Sequence, residues 1–298
     1  MILVVPRVVP HATALVLAAV LGASPLMAQA PSPDSTAWAT EVIGQLAASQ
    51  AGFQNWQEGG VNTLALSSGL KGKATKTSHR WEQTHEMRLS FGVVKQDTLD
   101  VRKAEDLIQL RATLKHQGEG FFGKFQPTIS ASLRTQFADG FNYDKDPLGL
   151  GLPPPVKVSA FFSPATFTQS LGLTYHPVAW FKQRIGFGAK ETVVTIERFR
   201  PLYGVDPEDA VRFEAGLESF TEVDKEVFKN VRYQSKLGLF ASFNRPDMPD
   251  ALWENLINMK VNSWLNVNFE FVTIFDEDIS DALQVKEVLS VGISFTLL

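Results

Sequence analysis

Charged side chains that alternate with apolar ones are the first residues of this chain that could do chemistry. In successive segments of the chain, arginines, lysines and glutamates fall among every second residue, and the residues between them are mostly apolar. Facing a shared interior, such a set could line a narrow polar passage that favours anionic solutes, or pair off into a salt-bridged network that fills the space. The candidate lining residues are Arg88, Arg111, Arg134, Arg184, Arg212, Arg232, Lys236, Lys260, Glu86, Glu214, Glu218 and Glu270.

The balance of this charged set favours the passage. Six further residues share its parity, namely Lys71, Lys73, Lys115, Lys190, Glu82 and Glu254, so the whole set has twelve basic and six acidic members. An excess of positive charge would attract anions. The network remains the alternative, because buried charges need partners or water in either case.

The histidines indicate no catalytic site. His79, His85, His116 and His176 all fall in or near predicted short turns, and the fifth, His11, lies at the N-terminus. A serine two residues from a histidine on one strand could be activated as a nucleophile against lipid, but methionine and valine occupy those positions. No phosphate-binding loop, zinc-binding helix or paired-carboxylate motif is present. We therefore expect no enzymatic activity and no cofactor.

An acidic segment near the C-terminus is a weak candidate for a metal site. The stretch "FDEDISD" concentrates four carboxylates, Asp276, Glu277, Asp278 and Asp281. Oxygen clusters of this kind can hold Ca²⁺ or Mg²⁺, here bridged to lipopolysaccharide. A solvated acidic loop is the commoner outcome.

Composition and the N-terminus bound the partners and the compartment. The formal charge of −4 and the absence of a lysine- or arginine-rich run exclude nucleic acid as an expected partner. Residues 1–30 combine one basic residue, an apolar segment and a small-residue end at Ala28-Gln29-Ala30, which predicts a secretory signal peptide cleaved after Ala28 or Ala30. An uncleaved anchor is the alternative. Zero cysteines suit a chain that crosses an oxidising compartment.

The elements that must position the charged set are strands. Period-two alternation predicts about twelve strands of roughly ten residues or a little more in residues 31–298, the length that crosses a bilayer at a tilt. The connections between them are alternately long and short, and the six tryptophans fall at strand ends or in connections. These features favour an all-β fold, a transmembrane antiparallel up-and-down β-barrel with aromatic girdles, over a soluble β domain.

The last strand carries a resemblance. Ser290, Gly292, Phe295 and Leu297 are spaced as in the C-terminal signal that the outer-membrane assembly machinery reads, although Leu298 follows where an aromatic residue is usual. The whole chain resembles a family of single-domain outer-membrane β-barrel proteins of unknown function from Bacteroidota-like Gram-negative bacteria. The resembling stretches are "WQEGGVNTLALSS", "LRTQFADGFNY", "FSPATFTQSLGLTY", "GVDPEDAVRFEAG", "LINMKVNSWLNVNFEF" and "VKEVLSVGISF". The resemblance implies the cell outer membrane as location, with its lipid, lipopolysaccharide and assembly machinery as partners, and implies no catalytic or ligand residues.

Three functions follow from these expectations. A channel or small-solute transporter with an anion preference is favoured by the charged set. A structural or adhesive barrel with a filled lumen and functional extracellular loops is the alternative. A lipid-active enzyme is disfavoured by the missing histidine-serine spacing. The longest predicted connection, residues 138–163, would either fold into the lumen as a constriction or cover the outer mouth.

Overall fold

The computed structural model describes residues 37–52 and 61–298. The predicted signal peptide, residues 1–30, and Trp56 lie outside the described residues, as does the side chain of Asp281. Among the described residues, no helix is long and apolar enough to cross a membrane.

Twelve antiparallel strands close into one barrel, which confirms the predicted fold. Each barrel strand pairs with the next one along the chain, and the last strand pairs with the first. Two further strands form a separate small sheet, Gly140–Asn142 (β6) with Val156–Ser159 (β7). In chain order the strands are Ala39–Ala51 (β1), Thr63–Ser78 (β2), Trp81–Gln96 (β3), Arg102–His116 (β4), Phe125–Thr135 (β5), Gly140–Asn142 (β6), Val156–Ser159 (β7), Ala165–Val178 (β8), Phe181–Val193 (β9), Val211–Phe228 (β10), Val231–Ser242 (β11), Asp250–Lys260 (β12), Leu265–Asp276 (β13) and Ser280–Thr296 (β14).

Burial in this barrel is the reverse of that in a soluble protein. Side chains such as Phe187 and Phe213 on the outer face are 66% and 61% exposed, whereas the inward-facing Arg184 and Lys190 are 7% and 6% exposed. A large, continuous apolar surface outside and charged residues inside are stable when the outer solvent is hydrocarbon. The alternation along each strand therefore separates a lipid-facing surface from a polar lumen.

The seam between β1 and β14 closes the barrel. It pairs residues 43–47 with residues 292–296, and Leu297 extends it by donating its backbone N–H to the Val42 carbonyl at 2.7 Å. Phe295 lies directly opposite Gly44, and its ring occupies the space that a Cβ at Gly44 would need. Closure satisfies the backbone groups of both terminal strands, which in lipid would otherwise be unpaired. The ordered C-terminal segment thus has a structural purpose.

The two ends of the barrel differ as predicted. Tight turns join β2 to β3, β8 to β9 and β10 to β11, and the start of β1 and the end of β14 lie at the same end. By the usual orientation of such barrels this end faces the periplasm. The sequence pattern predicts long connections over residues 96–105 and 276–283, but the structure has shorter ones, residues 97–101 and 277–279, because the flanking strands continue further than the alternation indicated.

A cap of loop structure lies at the opposite, extracellular end. The longest connection contributes β6 and β7, and the connection between β9 and β10 contributes a 3₁₀ helix, Glu197–Tyr203. The Tyr203 hydroxyl donates to the Val158 carbonyl at 3.1 Å, and Phe199 is fully buried between the two connections. Gly204, in a left-handed conformation that suits glycine, lies against Asp278 of the β13–β14 turn. The longest connection therefore joins a cap at the outer mouth.

A short helix, Phe121–Lys124 (α1), sits at the periplasmic end between β4 and β5.

Candidate functional site in the barrel lumen

The register places all twelve candidate lining residues on the inner face of the barrel. Their rows run across neighbouring strands; one row, for example, joins Lys71, Arg88, Gln109 and Arg134 on β2 to β5. Because successive side chains of a strand point to opposite faces, assigning one residue of each strand correctly to the inner face places all candidates of that strand in the lumen. The lumen is therefore a densely charged interior.

The extracellular third of the lumen is an acidic cluster around two cations. Lys190 contacts Glu214 at 3.0 Å and Asp276 at 3.3 Å, and it also pairs with Asp250. Arg212 contacts Glu214 at 3.2 Å and the turn residue Asp278 at 2.9 Å. These pairs tie β9 and β10 to β12, β13 and the β13–β14 turn, below the cap.

Ion pairs cross the middle of the lumen. Lys236 of β11 contacts Glu86 of β3 at 2.9 Å, and these strands are opposite each other in the circle of twelve. Arg134 of β5 contacts Glu254 of the nearly opposite β12 at 3.2 Å. A third pair, Arg88 with Glu270, joins β3 to β13. The opposing walls are thus bridged at mid-height, and this level is the constriction of the lumen.

Three further lumen candidates also lie in ion pairs. Arg184 donates to Glu218 at 3.1 Å, and Arg111 contacts Glu86 at 3.5 Å. Arg232, near the periplasmic end, contacts Asp224 at 2.6 Å.

A chamber of about 400 Å³ lies on the periplasmic side of this constriction. Its lining includes seven basic and five acidic side chains. Two of the basic residues, Lys71 and Lys260, have no carboxylate within ion-pair distance among the described residues. Lys71 is also directly opposite Arg88 on the neighbouring strand, a like-charge neighbour that raises the demand for a counter-ion. The chamber is therefore suited to hold an anion.

The predicted two-to-one excess of basic residues is wrong for the lumen as a whole. Two lysines and six carboxylates join the set, so that it has fourteen basic and twelve acidic side chains. They lie mostly where strands extend beyond the predicted limits, and the same alternation, continued by a few residues, could have found them. The added residues are Lys182, Lys286, Glu41, Glu105, Glu222, Asp224, Asp250 and Asp276. Positive charge is in excess in the periplasmic chamber, not throughout.

The three described carboxylates of the acidic segment pair with cations. Asp276 contacts Lys190, Asp278 contacts Arg212 and Arg245, and Glu277 contacts Arg245. Among the described residues, no group of three or more histidine, aspartate or glutamate side chains is arranged to hold a metal ion. The segment serves to fasten the β13–β14 turn to its neighbours in the described part of the chain.

A closed twelve-stranded barrel with a lipid-facing apolar surface and a charged lumen is an outer-membrane β-barrel. Residues 48–141 match the model of a family described as "Protein of unknown function (DUF3078)", which confirms the resemblance to a family of unknown function. No curated protein sequence matches the chain.

Several solved structures are similar to this chain at low sequence identity. The translocator domain of the autotransporter NalP from Neisseria meningitidis is 7% identical, with a TM-score of 0.38 over 87% of each chain. An outer-membrane channel from Pseudomonas putida F1 is 11% identical, with a TM-score of 0.39 over 92% of this chain and 99% of the other. A complex of OmpF from Salmonella typhi with daunomycin is 9% identical, with a TM-score of 0.26 over 87% of this chain and 96% of the other.

Proposed function

We propose that this outer-membrane barrel is a narrow, non-enzymatic channel for small anionic solutes. The observation that carries the proposal is the periplasmic chamber, in which Lys71 and Lys260 face the cavity without a carboxylate partner among the described residues. The proposal includes export by residues 1–30, folding of residues 31–298 by the outer-membrane assembly machinery, and contact with membrane lipid and lipopolysaccharide.

The lumen geometry supports a path with low conductance. An anion entering the chamber would meet the two unpaired ammonium groups and then the constriction, where Glu86 and Glu254 already neutralise the cations of the opposite wall. Passage requires the anion to exchange with these carboxylates one pair at a time, and the partial exposure of Glu86, 26% for its side chain, leaves room for that exchange. A fixed positive excess on one side of the constriction favours anions over cations.

A second function, a structural barrel acting through its extracellular loops, is favoured by a different observation. Ion pairs bridge opposite walls, and the loop cap lies at the outer mouth. Such pairs brace a barrel whether or not solute passes through it.

Single-channel recording separates these two functions. Purified protein in planar bilayers with asymmetric KCl should show small discrete current steps with a reversal potential that favours Cl⁻. The variant with Lys71→Met and Lys260→Met should shift the reversal potential toward K⁺, whereas Lys225→Met, on the outer face, should leave it unchanged. A silent membrane, with folding shown by heat-modifiable migration, would support the structural barrel and reject the channel.

A further inference from the structure

A groove of about 590 Å³ lies on the lipid-facing wall, outside the lumen. Its floor is one row of outward-facing side chains across β2 to β5, in which His85 lies between Ala74 and Ala112 and is followed by Ala131. The adjacent row supplies a wall of larger side chains, including Leu110 and Leu133. Small residues between larger ones leave a furrow in the apolar surface.

The groove runs obliquely from the periplasmic boundary toward the middle of the membrane. Ala74 is four residues from the turn-side end of β2, whereas Gln169, in the same row, is nine residues from the turn-side end of β8. The row therefore climbs as it crosses the wall, as expected for tilted strands. This direction is the one that an acyl chain takes from a headgroup of the periplasmic leaflet.

A polar cluster lies at the lower end of the groove. The Trp38 ring is 5.5 Å from the His85 ring and 5.9 Å from the Lys76 ammonium, and the Gln83 Nε2 atom is 3.0 Å from His85 Nε2. His85 also lines the groove itself. Lys76 has no carboxylate at ion-pair distance among the described residues. The cluster thus offers a cation and polar side chains at headgroup depth, where tryptophan is favoured.

We propose that the groove and this cluster together bind one phospholipid of the periplasmic leaflet. The phosphate lies between Lys76 and His85, and one acyl chain fills the furrow over Ala112 and Ala131. Two independent features select this occupant: the positive charge at the headgroup end and the continuity of the furrow from that end into the hydrocarbon. A second copy of the chain would use the furrow but would have no need of the cationic end.

Native mass spectrometry with added palmitoyl-oleoyl phosphatidylethanolamine tests the site. The wild-type barrel should retain one phospholipid after detergent removal. Lys76→Met should reduce retention about fivefold, since one cation at a membrane surface contributes about 1 kcal/mol. Ala112→Phe should reduce it about fifteenfold, since a ring that excludes two methylenes of the acyl chain removes roughly 1.6 kcal/mol.

Two matched variants control for general effects. Lys225 stacks over Trp180 at 4.8 Å, at the same end of the barrel but away from the groove, and Ala241 faces outward on β11. Lys225→Met and Ala241→Phe should retain phospholipid as the wild type does, with all variants shown folded by heat-modifiable migration. Equal retention in all five proteins would overturn the proposal. A dimer that Ala112→Phe dissociates, without a phospholipid adduct in the wild type, would overturn it in favour of a second copy.

Discussion

Replacement of Glu86 by glutamine should make the channel more selective for anions. The Glu86 carboxylate contacts three lumen cations: Lys236 at 2.9 Å, Arg111 at 3.5 Å and Lys73 at 3.9 Å. Its loss leaves one extra positive charge at the constriction. At roughly 7 Å from a passing ion and through water, a unit charge is worth about 0.6 kcal/mol, favourable for an anion and unfavourable for a cation, which together correspond to an increase of about sevenfold in the local ratio of anion to cation.

The permeability ratio of Cl⁻ to K⁺, taken from the reversal potential in asymmetric KCl, measures this change. It should rise about sevenfold in Glu86→Gln and stay at the wild-type value in Glu119→Gln, whose side chain lies in a periplasmic connection. The temperature of the heat-modifiable transition should also fall, because the three cations lose their partner. With the Glu86 side chain 26% exposed, we expect a loss of about 2 kcal/mol in the free energy of unfolding, below the value for fully buried pairs. An unchanged ratio, or a shift toward K⁺, would refute the assignment of Glu86 to the conduction path.

Three further predictions concern closure and the cap. Phe295→Ala should lower the temperature of the heat-modifiable transition, because it removes the ring that covers Gly44 at the seam; a transition at the wild-type temperature would argue against this role. Burial raises the pKa of Tyr203 to about 12, so its hydroxyl remains a donor to the Val158 carbonyl through the mildly alkaline range. Tyr203→Phe removes this hydrogen bond, worth about 1 kcal/mol, and should therefore speed proteolysis of the cap about fivefold. Backbone N–H groups of the longest connection, foremost that of Leu152, donate to the Asp146 carboxylate and hold its pKa below the usual value of 3.8. The carboxylate therefore stabilises the loop fully at pH values above 3.8, and this stabilisation is lost as the pH falls through the lowered pKa. Hydrogen exchange of the loop amides in acid should show that loss in the wild type and not in Asp146→Ala, whose loop should exchange fast at every pH.

The number of strands and the identity of the lumen face were predictable from the sequence because both depend on a local period. Each strand shows its two faces through alternation, and the short turns and long connections alternate along the chain. Candidates such as Arg88 and Glu270 could therefore be assigned to the interior one strand at a time. Strand ends were less predictable, since alternation weakens where a strand leaves the membrane, and the missed carboxylates, such as Asp250, lie there.

Only the tertiary structure decided which charges meet. Glu86 and Lys236 are 150 positions apart in the chain and lie on opposite walls. Their contact depends on the register and closure of the whole barrel, which the local sequence pattern does not specify. The same holds for the cap, where two connections pack on Phe199, and for the outer groove, whose floor combines alanines from separate strands. The sequence by itself determined a charged lumen inside an apolar wall. The fold determined that Lys71 and Lys260 line its periplasmic chamber without carboxylate partners among the described residues, because the carboxylates of the neighbouring strands are directed to other cations.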